Sequence, residues 1–122
     1  MAEHNDIGKQ GESIAFNFLK KNGYIILNRN WVFGKGELDI VALHDNHLVI
    51  VEVKTRSLHY HTETDDLLGK RKLHLLYETA DKYVELKNIE LEVRYDLVIV
   101  IFHGDTWTIE HITDAFYPFM NT

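Results

Sequence analysis

An α/β fold in the order helix, three strands, helix, two strands is predicted by three observations. Two segments carry apolar residues at helical spacing: Asp6 to about Asn22, through Ile7, Ile14, Ala15, Phe18 and Leu19, and Asp66 to Leu86, through Leu67, Leu68, Leu73, Leu76, Ala80 and Tyr83. Five other segments are short and rich in β-branched, aliphatic and aromatic residues, as strands are. Two of these flank His44-Asp45-Asn46-His47, a polar cluster suited to a tight hairpin.

In chain order, the first helix stops at Asn22-Gly23. Gly8 and Gly11 each cost a helix about 1 kcal/mol relative to Ala, which suggests close approach of another backbone. Glu12, on the border of the apolar face, then has two equal readings: it points into a site, or it is a surface acid favoured by the helix dipole. Tyr24 to Phe33 is a strand that passes through Gly34-Lys35-Gly36 into Glu37-Leu38-Asp39-Ile40-Val41-Ala42. The hairpin then returns as Leu48-Val49-Ile50-Val51-Glu52-Val53-Lys54-Thr55-Arg56, completing a meander. Ser57 to Asp66 is a polar loop; its His59 and His61 are metal-ligand types but are read as solvated. The second helix opens on Lys70-Arg71-Lys72. Val93 to Phe102, which contains Asp96, and Thr106 to Ile112 are strands joined around His103-Gly104-Asp105. Phe116, Tyr117, Phe119 and Met120 form an apolar tail expected to cover the core, with docking on a partner chain as the alternative.

The hairpin concentrates charge. With Asp45-Asn46 as a two-residue turn, partners across it sum to about 91, which sets Asp39 opposite Glu52 and Glu37 opposite Lys54. Glu52 and Lys54 share a face at ~7 Å between Cα atoms. Like charges directly opposite destabilise a sheet, and burying an unpaired carboxylate costs more, so the pattern fits a cation between the acids. Oxygen ligands on a rigid sheet suit Mg²⁺ or Mn²⁺, which one or two carboxylates hold while leaving positions for phosphate and water. Lys54 then lies beside the phosphate, the layout of a metal-dependent phosphodiesterase. The plainer reading of Glu37 and Lys54 is a solvated cross-strand ion pair, worth about 0–1 kcal/mol. Asp39 favours the site, because the same register forces a second acid pair. Arg56 with Lys70, Arg71 and Lys72 reads as a phosphate-contacting set, against an ordinary solvated helix face.

Composition bounds the partners. At 122 residues, 45% of them hydrophobic, the expectation is one domain spanning 1–122 with its own core. No apolar run reaches the ~20 residues of a membrane span, and the first six residues lack the basic and apolar regions of a signal peptide. The expected location is the cytosol, in keeping with the absence of cysteine. A net charge of −6 argues against a protein that coats nucleic acid generally, so any nucleic-acid surface is local.

An acid on the first helix, an Asp on one strand and Glu-x-Lys on the next resemble the PD-(D/E)XK nuclease superfamily, with its restriction endonuclease-like fold. More closely, Gly8-Lys9-Gln10-Gly11-Glu12, Gly23-Tyr24, Asn30-Trp31, Gly36 to Ala42, Val51 to Arg56, Lys72, Ala80 and Arg94-Tyr95-Asp96 are similar in order and spacing to the YraN-like family of predicted endonucleases. The resemblance covers nearly the whole chain. It implies an αβββαβ core with a mixed sheet between helices, extended here by one C-terminal strand. It also implies a Mg²⁺- or Mn²⁺-dependent endonuclease acting on DNA, of structured or branched form, and a homodimer if junctions are cut on both strands. Asp39, Glu52 and the Val53 carbonyl would hold the metal, Lys54 would orient or activate the water, and Glu12 would assist from the helix. Glu37 fits the motif without an assigned role. Two positions depart from the family pattern: Val32 stands where arginine is common, and the loop after Arg56 lacks the usual glycine and proline. A nucleic-acid-binding or adaptor protein that keeps the fold without catalysis is the competing reading.

Overall fold

The computed structural model describes residues 2–57 and 69–118, with side chains from Asp6 onward. Its elements are α1 (Ala2–Lys21), β1 (Ile25–Phe33), β2 (Gly36–His44), β3 (His47–Ser57), α2 (Lys70–Lys87), β4 (Glu92–His103) and β5 (Thr106–Phe116), in the order expected from the sequence. The five strands form one sheet in chain order. Neighbours are antiparallel except β3 and β4, which run parallel, so the sheet is mixed. A parallel pair needs a long crossover, and the segment containing α2 supplies it.

Alternation along the central strands divides the apolar residues between two faces. Leu48 and Ile50 of β3 join Leu73, Leu76, Tyr77, Ala80 and Tyr83 of α2. Val49 and Val51, with Val98 and Val100 of β4, pack on Ala15 and Leu19 of α1. The helices therefore cover opposite faces of one sheet, and the parallel pair at its centre is apolar on both, as such strands must be.

Gly23 ends α1 at φ 90°, and its N–H and that of Tyr24 donate to the Lys20 and Leu19 carbonyls at 3.2 and 3.0 Å. Asn88, left-handed at φ 54°, ends α2 in the same way. Asp45 and Asn46 both have positive φ, 54° and 63°, the twist a two-residue hairpin loop requires. The first helix starts before the expected Asp6, and Ile7 of its apolar face is exposed. The second begins at Lys70 after Gly69; the expected start at Asp66 and the loop bearing His59 and His61 fall outside the described residues. β5 runs past Ile112, so Phe116 pairs with Tyr95 and packs against the α2-side core. Tyr117 of the expected tail is exposed and donates to Asp114 at 2.8 Å, while Phe119 and Met120 lie outside the described residues.

One expectation needs correcting. The 91 register holds over the five pairs from Ile40–Val51 to His44–His47, and there the β2–β3 ladder stops. Asp39 is not a ladder partner of Glu52, and Glu37 pairs with Val32 of β1, not with Lys54. The cause is a phase shift in β2. Leu38 and Val41 both face α2, whereas Ile40 and Ala42 face α1, so alternation slips by one residue around Asp39. On β1 the side-chain facing slips at Asn30, whose φ is 49°, while the pairing with β2 stays in register there, its own shift lying between Ile26 and Asn28. Asn28 and Trp31 both meet Tyr83 of α2, while Arg29 and Asn30 reach Phe16 and Glu12 of α1.

Candidate metal and phosphate site

Where the ladder stops, side chains take over from backbone partners. The Val53 N–H donates to Asp39 Oδ2 at 2.9 Å, and the Asp39 N–H acts in turn on the Glu52 carboxylate. The two acids thus meet across a split between β2 and β3, each held by the other's strand. This brings Asp39 and Glu52 together as the sequence predicts, by a different route from a continuous ladder. Among the described residues no group of three or more His, Cys, Asp or Glu converges, so the acid centre is a pair.

Burial raises the pKa of both acids. Asp39 is pushed up to about 6, by burial first, with Glu12 and Glu37 adding to it and the Val53 N–H and Lys54 opposing. Glu52 is pushed up to about 8, by burial and then by Asp39, against Lys54 and the Asp39 N–H. The pair therefore retains a proton near neutrality in the absence of a cation. Glu52 Oε2 is buried and has no hydrogen-bond partner. An orphaned carboxylate oxygen is costly, and a cation bound between the acids would satisfy both.

Lys54 follows Glu52 by alternation on the α2 face. Burial lowers its pKa first and Lys72 of α2 lowers it further, against the acid pair. Lys72 is exposed on the first turn of α2 and Arg56, next but one to Lys54, is half-buried. Arg56 donates through Nη1 to the Thr55 carbonyl at 2.9 Å, and its buried Nε has no partner. Lys70 and Arg71 are exposed in the same turn, with nothing among the described residues tying them to the acid pair.

Glu12 arrives from the opposite face. A Cβ at Gly11 would collide with the Thr55 side chain, so the glycine lets α1 lie directly on β3 and sets Glu12 beside the split. Its Oε1 accepts from Asn30 Nδ2 at 3.2 Å, and its charge is felt at Asp39. Of the two readings of Glu12, the geometry favours the one that points it toward the acids. Glu37 is exposed and reaches the pair through its field alone.

Sequence reasoning missed a second polar centre. Asp96 of β4, fully buried, accepts from Arg94 Nε at 3.0 Å, from the Tyr24 hydroxyl at 2.9 Å and from the Asp114 N–H at 3.0 Å, with His111 Nε2 at 2.9 Å. Arg94 also donates to the Tyr24 hydroxyl at 2.8 Å, and His44 stacks on the Tyr24 ring at 3.9 Å. Burial would raise the Asp96 pKa, but these partners hold it far below the usual carboxylate range. Every oxygen here is satisfied, unlike Glu52, which marks a structural lock. Its signal was available: Asp96 is an acid inside an apolar strand, as Asp39 is.

Comparison with known proteins adds the family. The model of the uncharacterised protein family UPF0102 matches residues 11–100, a span containing Glu12, Asp39, Glu52, Lys54 and Asp96. A UPF0102 protein of Flavobacterium psychrophilum is 46% identical over 119 residues, covering 98% of this chain and all of the relative. One from Bacteroides thetaiotaomicron is 45% identical over 118 residues, covering 97% and 98%, and one from Christiangramia forsetii 39% over 119, covering 98% and 100%.

Proposed function

The chain belongs to the UPF0102 family, the YraN-like group its motifs resemble, and from that premise we propose a metal-dependent endonuclease that hydrolyses phosphodiester bonds of structured or branched DNA. The observation that carries this reading is the orphaned, buried Glu52 Oε2 beside Asp39, with Lys54 next to both. Two desolvated carboxylates without a cation are a cost to the fold; two carboxylates around Mg²⁺ or Mn²⁺ are a site. By the family resemblance, the Val53 carbonyl would be a third oxygen ligand.

When bound, the metal supplies Lewis-acid polarisation of the scissile phosphate and offsets its charge. The chain's own residues do the rest. Lys54, its proton loosened by burial and by Lys72, orients the attacking water and meets the charge that grows on the phosphoryl oxygens. Arg56 and Lys72 add positive charge on the side from which a phosphate strand approaches, offsetting the acids locally in a chain of net charge −6. Glu12, held by Asn30 outside the acid pair, would assist from the α1 side through its charge.

A panel of single-stranded, duplex, flap and four-way-junction DNAs tests the proposal. Cleavage of at least one, with Mg²⁺ or Mn²⁺ and not with EDTA, is the expected result. Lys54→Ala should lower turnover by about 10²-fold or more while DNA affinity persists, since the ammonium acts on charge that develops in the transition state. A mutant as active as wild type removes Lys54 from the mechanism, and a panel left uncut in every condition replaces the enzyme with a nucleic-acid-binding protein.

A further inference from the structure

At the same end of the sheet as Lys54, but on the α1 face, lies an open cleft of about 530 Å³ lined by Lys9, Gln10, Ser13 and Ile14 of α1 and by Trp107 of β5. Trp107 is 48% exposed although its ring lies edge-on to that of its ladder partner Phe102, 6.1 Å between centroids, and Phe102 packs on the α1-side core. Phe102 is in turn the parallel partner of Ser57, three residues past Lys54. Lys9 precedes Glu12 by about one helical turn, ~5 Å along α1. An exposed indole, a lysine and a carboxamide donor therefore line one concave surface at the same end of the sheet as Lys54, on its other face.

We propose that this cleft is a stacking subsite for an unpaired nucleotide, with the base on the Trp107 ring, its polar edge toward Gln10 and Ser13, and the adjoining phosphate on Lys9. It rests on the nuclease reading for the class of ligand and deepens it, since a site that holds a splayed base selects DNA with unpaired segments over continuous duplex. The occupant is argued from the chemistry of the lining. Aromatic faces with flanking cations are what sequence-tolerant single-strand binding uses. Phe33, exposed at the other edge of the sheet, lines a cleft of about 560 Å³ with Lys35 and Lys82, but Glu78, Asp81 and Glu85 line it too and oppose a phosphate.

Binding measured in EDTA keeps this test independent of cleavage. Oligothymidylate should quench tryptophan emission of the wild type, and Trp107→Phe should abolish that quench while Trp31 still emits. Trp107→Ala should weaken oligothymidylate affinity by about 5- to 100-fold, the span of one base–aromatic stack. Lys9→Gln should weaken it too and reduce the salt dependence by about one phosphate contact. Affinity for a blunt duplex should stay unchanged in all three. A quench that survives Trp107→Phe, an equal loss on blunt duplex, or an unchanged DNA affinity with altered sedimentation would each overturn the subsite, the last by assigning the surface to a second protein copy. Should the panel go uncut while the quench behaves as expected, the nuclease reading fails and the subsite stands.

Discussion

Glu52 Oε2 and Asp39 Oδ2 show how differently two neighbouring carboxylates are treated. Asp39 has a backbone donor at 2.9 Å, and Glu52 presents an oxygen with none. Charge at position 39 raises the pKa at 52, so removing it should relieve the metal-free protein. Asp39→Asn retains an amide oxygen to accept from Val53 N–H, provided the side chain is oriented that way, and loses the charge. In EDTA at pH 8 it should melt at or above the wild-type temperature, and it should lose most of the stabilisation that millimolar Mg²⁺ or Mn²⁺ gives the wild type. A destabilised metal-free mutant with a full metal response would mean that Asp39 serves the strand and not a cation. At the same scale, Gly11→Ala drives a Cβ into Thr55 and should cost about 1–3 kcal/mol of stability, read by denaturant unfolding, while displacing Glu12.

The elements show why part of the site could be read from sequence and part could not. Asp45-Asn46 states its turn type through residues that tolerate left-handed backbone, so the hairpin and its five near pairs follow directly. The split beyond Ile40–Val51 has no comparable signature. It arises from matched slips at Asn30 and Asp39 on adjacent strands, and a pattern of alternation assumed to be regular passes over both. The acids were identifiable as charges out of place; the geometry that unites them was not. Asp96 escaped for a related reason, since Tyr24, His111 and, through Arg94, His44 come from three distant segments and no local period links them. The basic turn of α2 was legible as composition, and its tie to the site runs through Lys72 and Lys54. Neutralising Lys70, Arg71 and Lys72 together should weaken binding to every DNA tested by a similar factor, about tenfold or more at low salt, and flatten the salt dependence without changing which shape is preferred. Unchanged affinity in a filter or anisotropy titration would leave the face merely solvated.

Across the whole molecule, two polar centres on one sheet respond to pH in opposite senses. Asp96 has a depressed folded pKa, so its stabilisation is present above the ordinary carboxylate range and is lost only as pH falls far below it. Asp39 and Glu52 have raised folded pKa values, so the folded chain holds protons that the unfolded chain has already released. Their contribution is whole below about pH 4 and is lost as pH rises through about 6 and then about 8. Lys54, lowered from 10.5, acts in the other direction only as pH approaches its own folded value. Metal-free protein should therefore lose thermal stability between pH 5 and pH 9, on the order of 5 °C or more for a chain of this size. A cation binds the deprotonated pair, so saturating Mg²⁺ should flatten that decline and bind more tightly as pH rises. Glu52→Gln removes the group with the larger rise and should flatten the decline without metal, whereas Asp96→Asn, which breaks the lock between β4, β5 and Tyr24, should lower the melting temperature by about 5–10 °C at every pH above 5. Melts of the three proteins in EDTA across this range decide the matter: a wild-type curve that is level from pH 5 to pH 9, or a Glu52→Gln curve that still declines like wild type, would show that the acid pair is not the desolvated, proton-holding centre on which a metal site depends.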